Sequence, residues 1–218
     1  MKYIVLDLEM NRIRRRLKVN ELTREIIEIG AIAMNEAHEE IGSFMTYVHP
    51  DYNEGEIEEV IQHLTGITTE MVSQSPGFAT AMESFLAWLA GFQDEILLIE
   101  WSDSDKKQLM KEIRLKEYTL EGPEKNLLEQ WYDLQKAFGE VIGLTRQVSL
   151  EDALMYTGDD FEGKQHDALY DARNTAHLYA MISNPDHYKA ELKKVIDYLR
   201  PEPIGVSIGD MFDFSKLK

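Results

Sequence analysis

The chain has 218 residues, contains no cysteine and carries a formal net charge of −17 at pH 7. Its length fits one ample domain, and its hydrophobic fraction of 44% is ordinary for a globular core. The lack of cysteine excludes disulfides, thiolate metal sites and cysteine nucleophiles, and it favours a cytoplasmic location. No apolar stretch approaches the roughly 18 residues that would cross a membrane. The negative charge argues against broad affinity for nucleic acids or anionic membranes, so any contact with phosphates must be local.

The first part of the chain predicts three strands that form an antiparallel meander. Residues 3–8 are an apolar run, which is typical of a buried strand. Residues 25–34 are rich in isoleucine, and residues 41–50 alternate in polarity before they end at a proline. Polar connections join the three segments, as expected for antiparallel neighbours.

Beyond residue 50, helical patterns alternate with short apolar runs. Further strands are predicted over residues 95–101 and 130–134, and a loop is predicted over residues 121–126. The helical patterns cover, in chain order, residues 55–66, the stretch after Pro76 to Leu89, residues 104–116, 149–154, 167–183 and 186–199. Together these patterns predict an α/β fold with a mixed five-stranded sheet. We expect one domain over residues 1–184, with residues 185–218 as a C-terminal helix and tail packed on it or extending from it.

Two acids stand at the predicted end of the first strand. Asp7 and Glu9 are two positions apart, so their side chains point to the same face of the strand. Two carboxylates there are costly unless something neutralises them, and oxygen ligands suit Mg²⁺ or Mn²⁺. A solvated strand end would explain the pair equally well.

Two further stretches hold residues that could carry chemistry. Asp103 and Asp105 follow the predicted strand 95–101, and strand ends are where α/β sheets place ligands, although either aspartate could instead cap the next helix. His166 and Asp171 are five residues apart, which is roughly 140° of rotation on a helix. They can therefore act together only if His166 lies at a frayed, mobile helix start. A surface histidine is the alternative.

The order of these segments resembles the DEDDh 3′–5′ exonucleases, a DnaQ-like group with an RNase H-like fold. The strand-end D-x-E, the mid-chain aspartate and the late H-x-A-x-x-D appear in the family's order. Within the group, the chain is similar to the branch of enhanced-RNAi and histone-mRNA 3′ exonucleases. The further matches are EIIEIGAI at 25–32, HLTGIT at 63–68, WSDSD at 101–105 and WYDL at 131–134. Together the similar segments span about residues 3 to 182.

The resemblance implies a set of site residues and a cofactor. The metal-binding acids would be Asp7, Glu9, Asp105 and Asp171, holding two divalent cations, Mg²⁺ or Mn²⁺. Asp105 is preferred to Asp103 because it holds the aspartate position of Trp-x-x-x-Asp. His166 would be the general base, which fits a residue able to take a proton near neutral pH. Leu64 would be an apolar wedge beside the terminal bases, and Met10 would line the same pocket.

The chain departs from the family pattern at two places. Met10 and Asn11 follow the D-x-E where many members have threonine, and Ser102 replaces a glycine after the tryptophan, which can alter the turn. In a sister group a tyrosine stands four residues before the last aspartate, and here that position is Asp167.

The implied activity is release of nucleoside 5′-monophosphates from the 3′ end of a single strand, with RNA favoured and DNA possible. The basic run at 12–18 follows the first acids directly, so Arg14 and Arg15 are candidate phosphate contacts, unless the run is a solvated arm or a partner surface. One competing hypothesis is a catalytically weak nucleic-acid-binding protein on the same fold. Another is a D-x-D phosphatase with an aspartyl nucleophile, against which Glu9 and Asn11 argue.

Overall fold

The computed structural model describes residues 1–14, 21–144, 146–184, 186 and 189–199. Within them, strands form one five-stranded sheet of order β3-β2-β1-β4-β5. The strands are β1 Lys2–Arg12, β2 Arg24–Met34, β3 Glu40–Tyr47, β4 Ile96–Glu100 and β5 Trp131–Asp133. The first three pair antiparallel, whereas β4 runs parallel to β1 and β5 parallel to β4. The predicted mixed sheet is confirmed.

Helices cover both faces of this sheet. They are α1 Glu59–Thr65, α2 Thr69–Val72, α3 Phe78–Ala90, α4 Ser104–Leu115, α5 Gly122–Leu127, α6 Leu134–Ile142, α7 Leu150–Thr157, α8 Ala168–Ser183 and α9 Lys189–Leu199. The predicted loop at 121–126 is wrong, because α5 occupies most of it. Glu121 and Glu124 form a reciprocal capping box there, and Pro123 stands in the first turn, where its missing N–H costs nothing.

The first strand is longer than its apolar run. It was expected to end near residue 8, but β1 continues to Arg12 by pairing with the start of β2 across a register shift between Glu9 and Met10. The expectation that Asp7 and Glu9 stand at the strand's exit is therefore wrong. The buried side chain of Asn11 is held separately, because its amide N–H donates to the Glu56 carbonyl and its amide oxygen accepts from the Glu58 N–H. The polar side chain of Asn11 is thus satisfied within the protein rather than by solvent.

The side chains of β1 alternate between the two faces of the sheet, and an apolar layer covers each face. Ile4, Leu6 and Leu8 pack into the layer formed with α3 and α4, while Val5 packs into the layer that contains α6, α7 and α8. Asp7 and Glu9 share the face of Val5, since side chains two apart on a strand point the same way. The acids therefore lie on the α8 side of the sheet.

The start of α8 packs closely against the sheet at one glycine of β2. Gly30 is the β2 partner of Asp7, and a Cβ at Gly30 would overlap the backbone of Ala168 and Leu169 at the start of α8. Only a residue without a side chain permits this approach. The first turn of α8 is thereby brought against the strand pair that carries Asp7.

The last described helix belongs to the same packing layer. Leu192 and Val195 of α9 are buried in the layer that contains α8, while the predicted irregular tail after residue 199 lies outside the described residues. The division at residue 184 stays a prediction. In the described part of the chain, no helix combines the length and the apolar character needed to cross a membrane.

Candidate active site

One cavity of about 460 Å³ gathers the acids that the sequence singled out. Asp7, Glu9, Asp105 and Asp171 all line it, together with His166. They come from different places in the chain: β1, the first turn of α4, the first turn of α8 and the turn before α8. The sheet brings these places together because β1 is central, with β2 on one side and β4, which leads into α4, on the other.

The structure distinguishes the two candidate aspartates after β4. Asp105 is 5% exposed and lines the cavity. Asp103 stands at the N-cap of α4, makes no capping hydrogen bond with its side chain, and forms an ion pair with Lys107 that faces solvent. The geometry thus favours Asp105, as the family resemblance implied.

The cavity acids resist ionisation. Burial, reinforced by neighbouring carboxylates, raises the pKa of Glu9 to about 8 and holds the pKa of Asp7 well above its usual range. Burial and Glu100 raise the pKa of Asp105 to about 8, while burial raises the pKa of Asp171 to about 7. Among the described residues, none of these four carboxylates pairs with a lysine or an arginine.

These observations fit divalent cations as the missing charge. The Oδ1 atom of Asp171 is buried without a hydrogen-bond partner. Glu9, His166 and Asp171 each offer a ligand atom within 4.8 Å of the others. Carboxylate oxygens are the donors that Mg²⁺ and Mn²⁺ prefer, and a bound cation would remove the repulsion that raises these pKa values.

His166 lies outside the helix that carries Asp171. Asp167 caps α8 by accepting the Tyr170 N–H, so His166 stands one residue before the cap, with a left-handed φ of 60°. Its side chain is 45% exposed, and its Nδ1 lies 4.0 Å from Glu9 Oε1. The sequence predicted a histidine at the frayed start of the helix, and the structure places it in the preceding turn. That position lets it face the cavity despite the five-residue spacing.

Glu28 is a buried acid beside the site that the sequence analysis did not identify. It pairs directly with Glu9 across the β1–β2 ladder, and it accepts the Ala168 N–H at 3.2 Å. Burial raises its pKa to about 7. Glu28 therefore has a structural role, because its hydrogen bond holds the first turn of α8 against the sheet. The sequence feature that could have identified Glu28 is the presence of a charged residue inside the isoleucine-rich run 25–34.

The opposite wall of the cavity comes from α1. Leu64 lines it with 48% of its surface exposed, and Val60, one turn earlier, is 59% exposed. The end of α1 is tied to the segment before His166, because Lys164 Nζ donates to the Thr65 carbonyl at 2.6 Å. Met10 also lines the cavity, so both predicted apolar contacts lie beside the acids.

The basic run divides into residues with different surroundings. Arg14 is not among the cavity-lining residues, and its guanidinium donates to Glu58 at 2.6 Å and to Glu56 at 2.8 Å. Arg15 and Arg16 lie outside the described residues. Arg12 does line the cavity, and so does Arg24, which the sequence analysis did not select.

Comparison with known proteins assigns the class. Residues 4–179 match the sequence model of the exonuclease family RNase_T. The chain belongs to this exonuclease family, and the resemblance seen in its sequence is confirmed.

Among its relatives is an ERI1 exoribonuclease 2 of Xenopus laevis, 30% identical over 209 residues that cover 84% of this chain and 30% of the relative. A 3′-5′ exoribonuclease 1 of Rattus norvegicus is 26% identical over 164 residues, covering 72% of this chain and 46% of that one. This chain thus matches less than half the length of either relative.

A solved structure supports the fold. The nuclease domain of 3′hExo, described as a DEDDh family member bound to rAMP, superposes with a TM-score of 0.72 and 22% identity, covering 84% of this chain and 92% of that one. The RNase H-like fold expected from the sequence is confirmed.

Proposed function

We propose that the chain is a metal-dependent 3′–5′ exonuclease that hydrolyses the terminal phosphodiester bond of a single strand and releases nucleoside 5′-monophosphates. The observation that carries the proposal is the set of four cavity acids, Asp7, Glu9, Asp105 and Asp171, none of which forms an ion pair with a lysine or arginine of the described chain. A binding protein has no need of such a costly arrangement. Membership of the exonuclease family supports the same conclusion.

RNA is the favoured substrate, with DNA as the alternative. The relatives that match this chain are named exoribonucleases, and the superposed nuclease domain was solved with rAMP. Discrimination between RNA and DNA needs a contact to the 2′-hydroxyl. In this proposal, the exposed cavity wall formed by α1 contacts the terminal nucleotide.

Each cavity residue has a distinct role in this proposal. The four acids would hold two divalent cations, Mg²⁺ or Mn²⁺, which when bound activate a water and stabilise the leaving 3′ oxygen. His166 accepts the proton of the attacking water, since its exposed ring faces the cavity beside Glu9. Leu64 and Met10 contact the terminal bases as apolar surfaces.

Arg14 and Arg15 stay proposed phosphate contacts from the sequence. Arg14 would have to exchange Glu56 and Glu58 for a phosphate in order to serve. We also propose a cytoplasmic location, on the ground that the sequence contains no cysteine for oxidative stabilisation.

The test uses two aspartates that are two residues apart. Asp105→Asn should lower hydrolysis of a labelled single-stranded RNA by at least about 100-fold, because residues behind metal ligands already account for 10–100-fold. Asp103→Asn, at the exposed neighbour, should leave the rate within about twofold, since surface ion pairs contribute little. Assays on RNA and DNA in Mg²⁺, Mn²⁺ and EDTA complete the design. Binding without hydrolysis by the unsubstituted chain would contradict the proposal and favour the binding protein.

A further inference from the structure

Two arginines face each other at the mouth of the acidic cavity. Arg12 on β1 and Arg24 on β2 are direct partners in the antiparallel ladder. Both are exposed, and both line the cavity that holds the carboxylates. They are separate from the acids along the strand, because Arg12 is three residues beyond Glu9, or about 10 Å at the usual strand rise.

This placement is unfavourable without a ligand. Side chains directly opposite on antiparallel strands have Cβ atoms roughly 4.5–5.5 Å apart, and like charges on such opposed side chains are destabilising. Among the described residues, neither guanidinium forms an ion pair or a side-chain hydrogen bond within the chain. In a protein of net charge −17, which has an excess of carboxylates, two neighbouring arginines without a carboxylate partner in the described part of the chain are unusual.

Arg14 provides the contrast within the same segment. It lies two residues beyond Arg12, and it is held by Glu56 and Glu58. Its charge is therefore offset inside the protein, whereas the charges of Arg12 and Arg24 are directed to a space that a ligand can enter.

We propose that Arg12 and Arg24 together bind a backbone phosphate of the nucleic-acid strand, one that lies further from the 3′ end than the bond being cleaved. The proposal rests on the proposed exonuclease function, because it assigns the substrate's continuing strand to the arginine side of the cavity. Two guanidinium groups offer several N–H donors, and planar donor pairs match phosphate oxygens. The bound anion removes the repulsion between the two arginines, and it lets a strongly acidic protein hold a polyanion at one place.

The arrangement also separates two tasks along β1. The carboxylates at Asp7 and Glu9 act where the bond breaks, and the arginines act on the strand that remains. A substrate with a single phosphodiester reaches only the first group, whereas an oligonucleotide reaches both. The length of the substrate is therefore the variable that isolates the arginine pair.

The principal experiment compares two variants with equal net charge. Arg12→Gln combined with Arg24→Gln is set against Lys125→Gln combined with Lys136→Gln, which removes two exposed lysines that do not line the cavity. On a single-stranded oligonucleotide we expect the arginine variant to raise KM by about tenfold or more, with kcat within about twofold, since it loses charged hydrogen bonds in binding. The slope of log KM against log salt should fall by about 0.7 for the one phosphate. The lysine control should show neither change.

A small substrate provides the internal control. On the p-nitrophenyl ester of thymidine 5′-monophosphate, which has one phosphodiester and no further strand, the arginine variant should match the unsubstituted chain. Arg12→Lys combined with Arg24→Lys should restore the salt slope but only part of the affinity, because lysine keeps the charge without the planar donors. Equal loss on both substrates, or a KM equal to that of the lysine control, would overturn the proposal.

A binding measurement separates this proposal from the exonuclease proposal. Fluorescence anisotropy of a labelled oligonucleotide, with Ca²⁺ in place of Mg²⁺, reports affinity even if no hydrolysis occurs. If the unsubstituted chain binds but cleaves neither substrate, the exonuclease proposal fails while the arginine variant still tests phosphate binding. A scan with one uncharged methylphosphonate linkage per oligonucleotide then locates the phosphate. The linkage that weakens binding to the unsubstituted chain should have little effect on the arginine variant.

Discussion

Two clusters of acids in this molecule differ in whether the described chain supplies a cation. In the lysine-centred cluster, Lys116 Nζ lies 3.6 Å from Glu25, 2.8 Å from Asp51 and 3.1 Å from Glu112. The cavity acids have no such cation from the described chain. Burial raises the pKa of carboxyl groups in both clusters, but Lys116 opposes that rise at Glu25 and Glu112, whereas the pKa values of Glu9, Asp105 and Asp171 rise to about 8, 8 and 7.

The difference shows what each cluster is built for. The lysine-centred cluster joins the start of β2, the segment after β3 and α4, and its carboxylates also accept backbone N–H groups, as Glu112 does from Ile26 and Glu25 from Asp51. Burial lowers the pKa of Lys116, but its acidic neighbours outweigh burial and raise that pKa. A cluster that contains its own cation is structural. A cluster without one fits the divalent cations that we propose for the cavity.

The largest effect should come from removing the internal cation. Lys116→Met leaves buried Glu25 and Glu112 without a counter-charge, and breaking a buried ion pair typically costs about 3–5 kcal/mol of unfolding free energy. Denaturant titration measures this loss. Lys125→Met, at an exposed lysine, is the matched control, and equal stability of the two variants would show that Lys116 does not hold the cluster.

Removing a cavity acid should have the opposite consequence for stability. Asp171→Asn is expected to lower hydrolysis by at least about 100-fold, or about 2.7 kcal/mol of transition-state stabilisation. It should leave the metal-free Tm unchanged or raise it, since it removes a buried charge that repels its neighbours. Thermal unfolding in EDTA and a rate assay in Mg²⁺ check both parts. A clear fall in the metal-free Tm would contradict this interpretation of the cavity.

Moving α8 away from the sheet should disrupt the cavity acids and leave the lysine-centred cluster intact. Gly30→Ala inserts a methyl group into the backbone of Ala168, and overpacking of this kind typically costs about 1–3 kcal/mol. Activity should fall further than the stability loss explains, because His166 and Asp171 move with α8. Ala31→Gly, the neighbouring change on β2, controls for destabilisation of the strand. Full activity of a folded Gly30→Ala protein would argue against a need for the close approach.

The pH dependence of stability should depend on the cation. A carboxyl group whose pKa is raised in the folded protein binds more protons than it does in the unfolded chain, so the metal-free protein loses stability as pH rises from about 4 towards 8. We expect the Tm in EDTA to fall between about pH 5 and about pH 8 by at least roughly 2–4 °C, the shift that a loss of about 1 kcal/mol causes in a domain of this size. Mn²⁺ should reduce this fall, because it binds the ionised carboxylates. A metal-free Tm that rises over this range would contradict the sign.

The smallest effect is expected at Arg14. Its pairs with Glu56 and Glu58 are partly exposed, and such pairs contribute about 0–1 kcal/mol. Arg14→Gln should therefore change stability and the salt dependence of KM only slightly. A loss of salt slope as large as that of the Arg12 and Arg24 variant would instead support the contact that the sequence predicted.

Much of the fold was accessible from local pattern. The isoleucine-rich run became β2, the Ser149 cap begins α7, and Gly66 ends α1 in a left-handed conformation. Each of these rests on neighbouring residues alone. The extension of β1 to Arg12 was not accessible, because the mostly polar residues 9–12 become strand only by pairing with the start of β2, across a register shift that the local pattern does not show. The helix α5 was predicted as a loop, since the glycine and proline in its first turn are also typical loop residues.

The candidate site likewise has one part that the sequence predicted and another that depends on the tertiary structure. By itself the sequence determined the acids and the histidine, because Asp7 and Glu9 share a strand face by the period of two and the later residues follow the order of a known family. Only the tertiary structure decided which charges meet. It brought Glu28 against α8, turned Asp103 to solvent, paired Arg14 with glutamates and set Arg12 beside Arg24. Spacing along a chain specifies the direction of a side chain, whereas the partner that offsets its charge comes from a distant segment and is set by the packing of the whole domain.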